Sequence, residues 1–216
     1  MLIDIHRLND ILKTNSIRVK GILHVGAHEC EEKNSYNSVL QVSDENIVWV
    51  DANDTLTKKN LARGIPNCFT AVLDDSAHPA TFYLTNNGQS SSLLEFGLHK
   101  EYHPHVSVIG SYPVMTETLT DFFNRTKLNA ENYNVWNFDI QGSELNVFKG
   151  SPELLQYADV IYTEVNSGEV YKNCGILSEM DTFLDAYGFS RVATEMTPYK
   201  WGDAVYIKKQ DLNKAD

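Results

Sequence analysis

The chain alternates between short apolar runs and stretches with helical spacing. Gly21-Ile-Leu-His-Val-Gly26, Asn46-Ile-Val-Trp-Val-Asp51 and Cys68-Phe-Thr-Ala-Val-Leu73 read as three buried strands, separated by polar helical patterns over 31–42 and 55–63. Strand, helix, strand at this spacing requires parallel pairing through right-handed crossovers. Ahead of them, the stripe Ile3, Ile5, Leu8, Ile11 and Leu12 predicts a helix over about 3–14 packed on the domain.

The middle of the chain is less regular. Residues 80–84 alternate like an exposed strand, and Asn86-Asn87-Gly88 turns into the serine cluster Ser90-Ser91-Ser92. Signals over 95–110 are mixed and fit a mobile cover. A helix follows over 118–125, a strand over 133–140, an amphipathic helix over 143–155, a strand over 160–165 and a helix over 177–187. Two strands, 189–194 and 204–207, close the chain around a turn containing Pro198 and Gly202, and 210–216 forms a polar tail. Two strands without an intervening helix predict an antiparallel C-terminal edge. The whole reads as one α/β domain over 1–216: a doubly wound, mostly parallel sheet whose ligands bind beyond the carboxyl ends of the strands.

Composition narrows the class. The 216 residues carry 18 Lys and Arg against 29 Asp and Glu, a formal charge of −11 that disfavours an electrostatic grip on nucleic acid or an anionic membrane. No apolar run reaches the length of a membrane span, and the N-terminus lacks the pattern of a secretory signal. Three cysteines, Cys30, Cys68 and Cys174, form no CxxC pair. That usage predicts a reducing, cytoplasmic setting without a disulfide framework.

Chemistry should sit where the strands end. The first strand runs into Gly26-Ala27-His28-Glu29-Cys30-Glu31-Glu32. A dinucleotide fold needs three glycines here, and a pyrophosphate would meet repulsion from the three glutamates. S-adenosylmethionine has no phosphate and carries a sulfonium cation, so one glycine suffices and Gly26, Ala27, His28 and Glu29 become its candidate contacts. About 25 residues on, Asp51 is placed to accept hydrogen bonds from a ribose diol, with Asn53 beside it; capping of the next helix is the competing role. Asp74, after the third strand, is a candidate for an adenine amino group, an ordinary Asp-rich turn being the alternative. Asp139 closes the strand over 133–140, and Glu164 ends the next. Paired carboxylates of this kind bind an ammonium, orient a hydroxyl, take up a proton or hold a divalent ion.

The stretch Phe138-Asp-Ile-Gln-Gly-Ser-Glu-Leu-Asn-Val-Phe-Lys-Gly-Ser-Pro-Glu-Leu-Leu155, continued by Tyr162-Thr-Glu-Val165, resembles the signature of FkbM-type methyltransferases. The likeness spans about 21–208 and includes the Val25-Gly26-Ala27 turn, the acidic end of the second strand, Ser90-Ser91-Ser92 and Glu117-Thr-Leu-Thr-Asp121. It differs at His24, where the family usually has Asp, and at His28 and Cys30, where it often has Asn and a second Gly. The resemblance implies the class I methyltransferase (Rossmann-like) fold, S-adenosylmethionine as donor, and a hydroxyl acceptor on a sugar, glycan or related natural product. An alcohol must lose its proton as the bond forms, so Asp139 is the first candidate for base or metal ligand and Glu164 the second. Asp139→Asn and Glu164→Gln are each expected to reduce turnover greatly.

Weaker signals concern the acceptor. Ser91, Ser92, His103 and Trp201 are candidates to touch it, Trp201 by offering a flat face to a sugar ring. The run His99-Lys-Glu-Tyr-His103-Pro-His105 reads as a zinc site, a cover loop or solvated surface, and whether a metal is needed stays open. The N-terminal stripe also leaves a homo-oligomer open. A nicotinamide-dependent oxidoreductase and a non-catalytic binding module are the alternative functions; the glycine-poor turn argues against the first and the acids at successive strand ends against the second.

Overall fold

Two of the apolar runs become strands in which all four side chains are buried, Ile22–Val25 and Val135–Phe138, so both faces of the sheet are covered. The computed structural model describes residues 1–209; the polar tail expected over 210–216 lies outside the described residues. In chain order the elements are α1 (Ile5–Thr14), β1 (Ile22–Val25), α2 (Lys33–Ser38), β2 (Ile47–Asp51), α3 (Asp54–Ala62), β3 (Cys68–Thr70), β4 (Pro79–Thr85), α4 (His99–Tyr102), β5 (Val108–Met115) and α5 (Leu119–Thr126). Then come β6 (Val135–Phe138), α6 (Glu144–Gly150), β7 (Val160–Asn166), α7 (Leu177–Ala186), β8 (Phe189–Met196) and β9 (Trp201–Lys208).

The main sheet runs β3-β2-β1-β6-β7-β9-β8. Its first five strands are parallel, and β1 lies between β2 and β6, so the strand order reverses beside β1. That reversal opens a crevice at the carboxyl ends of β1 and β6. The antiparallel strand expected at the C-terminal edge is β9; it inserts between β7 and β8 and leaves β8 outermost.

Strand alternation divides the core. Leu23, Val25, Trp136 and Phe138 point to one face, with Phe122, Phe148 and Leu184 from the helices. Ile22, Trp49 and Val135 point to the other, where α1 lays Leu8 and Leu12 against the sheet. Asp4 caps α1 by accepting from the His6 N–H at 2.8 Å. Leu8 is 1% exposed, and Leu8→Ala is expected to cost about 2–5 kcal/mol. No helix among the described residues is long and apolar enough to cross a membrane.

Several elements differ from their sequence patterns for local reasons. The helix expected over 31–42 spans only Lys33–Ser38, because His28 and Cys30 hold left-handed conformations just upstream. The helix expected over 143–155 breaks after Gly150, whose Cα lies so close to Asp75 that a Cβ would stand 2.5 Å from its carbonyl oxygen. Ser151 and Pro152 then start a 3-10 turn over Pro152–Tyr157. β3 ends at Thr70 rather than 73. The mixed segment over 95–110 yields helix α4 and the start of β5, which pairs antiparallel with β4 in a separate hairpin.

Candidate active site

The turn after β1 is shaped by backbone. Gly26 adopts φ +88°, donates its N–H to the Val50 carbonyl at 2.8 Å, and lies so close to β6 that a Cβ would stand 1.8 Å from the Asp139 carbonyl oxygen. Only glycine permits this approach. His28 (φ +43°) and Cys30 (φ +58°) are also left-handed, at the two positions where the resembling family often has Asn and Gly. A clasp from α3 holds them: Asn60 Nδ2 donates to the His28 carbonyl at 2.8 Å and to Cys30 Sγ at 3.2 Å. Such conformations cost about 1–2 kcal/mol per non-glycine residue, so the clasp has strain to offset.

Of the four residues expected to meet the donor in this turn, Gly26 and His28 line the cleft. Ala27 is buried in the core beneath it, and Glu29 turns outward to Lys59 at 2.8 Å and Arg63 at 3.5 Å. These surface cations explain why a glutamate beside the turn does not face the ligand.

A first cavity, about 650 Å³ of empty space, lies over the ends of β1, β2 and β3. Asp51 stands at its edge, with Oδ2 accepting the His28 N–H and Oδ1 the Asn53 N–H, each at 2.7 Å. Each oxygen keeps a further acceptor position. Burial pushes the Asp51 carboxyl above its ordinary range, and the two backbone donors oppose that. The helix-capping role belongs to Asn53, whose Oδ1 accepts the Thr55 N–H at 3.0 Å, so Asp51 is left to the cavity. Apolar walls come from Ala71, Val72, Leu73, Phe82 and Ile140.

Asp74 does not line this cavity. With β3 ending at Thr70, the following residues pair instead with the segment before α5: Leu73 bridges Glu117, and the Asp74 N–H reaches the Glu117 carbonyl at 3.1 Å. Asp74 sits with Asp75 and His78, ligand-type atoms within 4.8 Å of one another, away from the cleft. Sequence reading missed the slot residues 71–73, whose only signal is an apolar run beyond the last ladder pair.

A second cavity, about 1310 Å³ of empty space, adjoins the first at Gly26, His28, Asp139 and Gln141. Gln141 joins the two predicted acids: its Nε2 donates to Asp139 Oδ1 at 2.6 Å and to Glu164 Oε2 at 2.7 Å, and its Oε1 accepts from the Tyr171 hydroxyl. Asp139 is exposed to the cleft, whereas Glu164 is 4% exposed. Burial, then the neighbouring Asp139 and Glu144 carboxylates, push Glu164 well above the ordinary carboxyl range. Glu144, also buried, fastens the turn by accepting the Ile140 N–H at 2.8 Å and the Gly142 N–H at 3.1 Å; burial raises it to about 7.

His24 lies behind this pair. Its Nδ1 meets the Tyr36 hydroxyl at 3.1 Å, which in turn accepts from Asn137 Nδ2 at 2.7 Å; burial lowers the His24 pKa. Of the expected acceptor contacts, His103 and Trp201 line the second cavity. Ser91 lines the first cavity instead. Ser92 bridges Tyr83 through its backbone, and its hydroxyl donates to the Gln141 carbonyl at 2.9 Å, so it clasps the loop to the catalytic turn rather than facing a ligand.

The glycine turn, the ribose-type carboxylate and the apolar slot define a nucleoside-binding α/β site without a phosphate cradle. The family model of the methyltransferase FkbM domain matches residues 19–191, and the chain belongs to that family. No curated protein matches it in sequence. Similar solved structures include magnesium protoporphyrin IX methyltransferase from Synechocystis PCC 6803 with bound SAM (9% identity, 95% of this chain and 78% of that one, TM-score 0.42). Others are a SAM-dependent methyltransferase from Aquifex aeolicus (12%, 95% and 94%, 0.41) and an NADB-Rossmann superfamily protein from Streptococcus agalactiae (8%, 93% and 68%, 0.47). The chain is an S-adenosylmethionine-dependent methyltransferase. The residues present fit that donor, since Gly26 lets the turn close against the Asp139 backbone while lining the cleft, and Asp51 offers free acceptor positions beside it.

Proposed function

We propose that the protein methylates a hydroxyl oxygen of a sugar, glycan or related small natural product, acting as one domain in the cytoplasm. The observation that carries this reading is the Asp139–Gln141–Glu164 bridge at the junction of the two cavities. S-adenosylmethionine supplies a methyl group on a positively charged sulfur, a leaving group that needs no further activation. Asp51 and Asn53 would hold its ribose and residues 71–73 with Ile140 its adenine.

The chain's own work is to align the acceptor, exclude water and receive one proton. Asp139 is the acid exposed to the cleft, so it takes the hydroxyl proton as the oxygen–carbon bond forms. Glu164, which burial pushes toward its protonated form, is joined to Asp139 through Gln141, whose amide donates to both and fixes the angle between them. A sugar ring would rest near Trp201 and His103. Incubation with S-adenosylmethionine and a glycan panel, read by mass gain of one methyl group, tests the proposal. Methyl incorporation on nitrogen or carbon, with none on oxygen, overturns it.

A further inference from the structure

The second cavity has a charge pattern that narrows its acceptor. Among the described residues Glu31, Glu32, Asp139, Glu164 and Asp203 line it and no lysine or arginine does; burial raises Glu164 and Asp203, Glu31 meets His28 Nδ1 at 2.6 Å, and Glu32 and Asp139 are the acids left to set its charge. Of the lysines around it, Lys33 pairs with Asp44 at 2.9 Å and Lys172 with Glu95 at 2.6 Å, while Lys100 and Lys200, exposed next to His99 and Trp201, stay off the lining. Histidines line the cavity too, but burial lowers His24, His103 and, to about 4, His99, so these three are neutral at pH 7.

A second, independent observation concerns hydrogen bonds. Asn137 lines the same cavity, is 3% exposed, and has an Oδ1 atom without a partner, its amide nitrogen being committed to Tyr36. An amide oxygen only accepts, so an O–H or N–H must complete it. A phosphate or carboxylate entering here would shed its water and find no guanidinium or lysine ammonium in exchange.

Resting on the methyltransferase reading above, we infer that the acceptor is a polyol rich in O–H or N–H donors and free of anionic groups. It is a neutral or amine-bearing sugar, not a nucleoside-diphosphate sugar or a uronic acid. The carboxylates reject those compounds by repulsion as much as they bind the correct one, a specificity that comes from the wrong partner's penalty.

Tryptophan fluorescence reads this charge without knowledge of the acceptor. Trp49 and Trp136 are each 1% exposed, whereas Trp201 is partly exposed and lines the cavity. Relative to free N-acetyltryptophanamide, caesium is expected to quench Trp201 about fivefold better than iodide, with a smaller preference in Glu32→Gln. Tyr187→Trp in a Trp201→Phe background, a reporter on the far α7 helix, measures the charge of the general surface and is expected to show a weaker preference. Iodide reaching Trp201 as readily as caesium overturns the inference. In the second arm, calorimetry first establishes binding of S-adenosylhomocysteine; its failure sinks the methyltransferase reading instead. Matched neutral, amino, carboxylated and nucleoside-diphosphate sugars are then compared, with kcat/KM expected to be at least ~100-fold lower for the anionic pair. An anionic sugar methylated as fast as its neutral counterpart overturns the inference, and if no sugar turns over, the quenching result decides it.

Discussion

The two cavities share Gly26, His28, Asp139 and Gln141 but are assembled differently. The first is made from the ends of adjacent parallel strands, and much of its surface is backbone held by the sheet. The second is made from side chains on segments far apart in sequence, among them Leu2, His24, His103, Tyr171 and Asp203. The contrast predicts where substitutions act: through geometry and fold in the first cavity, through protonation and charge in the second.

The sharpest break comes at their junction. Gly26→Ala places a methyl group 1.8 Å from the Asp139 carbonyl oxygen at a φ of +88°, which no flexible side chain can relieve. Loss of stability above about 3 kcal/mol is expected, together with loss of S-adenosylhomocysteine binding. Urea denaturation and calorimetry measure both; a variant of wild-type stability that still binds would show the turn to be looser than its contacts.

Next come the acids of the second cavity. Asp139→Asn removes the proposed base and should lower kcat by about 10²–10⁴-fold while leaving donor affinity unchanged. Glu164→Gln replaces a carboxyl that burial pushes toward its neutral form, so it should cost only about tenfold or less, through geometry. The sequence pattern ranks Asp139 ahead of Glu164 but expects a great loss of turnover from either substitution. Burial separates them, and equal losses in single-turnover rates would erase the distinction.

The same burial sets a pH dependence of stability. Glu144 titrates near 7 in the folded protein, above its ordinary value of 4.5. A raised carboxyl contributes stability that is fully present below the unfolded pKa and is lost as pH rises through the folded one. Stability should therefore fall by on the order of 3 kcal/mol between about pH 4.5 and 7.5 from this group, with Glu164 adding in the same direction. Denaturation midpoints across that range check the sign; a rise with pH contradicts it.

What was legible in the chain follows the same division. Apolar runs located the strands of the main sheet because buried parallel strands leave continuous hydrophobic segments. Gly26, Asp51 and Asp139 were legible because each falls at the end of a strand, and Glu164 because it lies near the carboxyl end of β7, where the fold has only one place to put it. Gln141 was not, since its role depends on one amide reaching two carboxyls from different strands. Nor was β5, whose exposed, alternating residues 108–115 pair with β4 outside the main sheet and never form an apolar run. Ser92 illustrates the same limit: its place in the chain suggested a ligand contact, and a backbone bridge to Tyr83 decided otherwise.

The smallest expected effect discriminates best between strand-end logic and actual placement. Asp51 and Asp74 both follow a strand of the first half, and both looked suited to the nucleoside. Asp51 holds two backbone N–H groups while facing the first cavity; Asp51→Asn turns an NH₂ toward one of them and should weaken S-adenosylhomocysteine about 10–100-fold. Asp74 accepts from the Asp75 N–H at 2.9 Å, lies 3.7 Å from His78, and touches neither cavity, because β3 ends three residues earlier than its apolar run. Asp74→Asn should accordingly leave that affinity within about twofold of wild type. A large loss in Asp74→Asn would mean that the segment after β3 swings over the nucleoside when it binds, and that the apolar wall at 71–73 is not where the base rests.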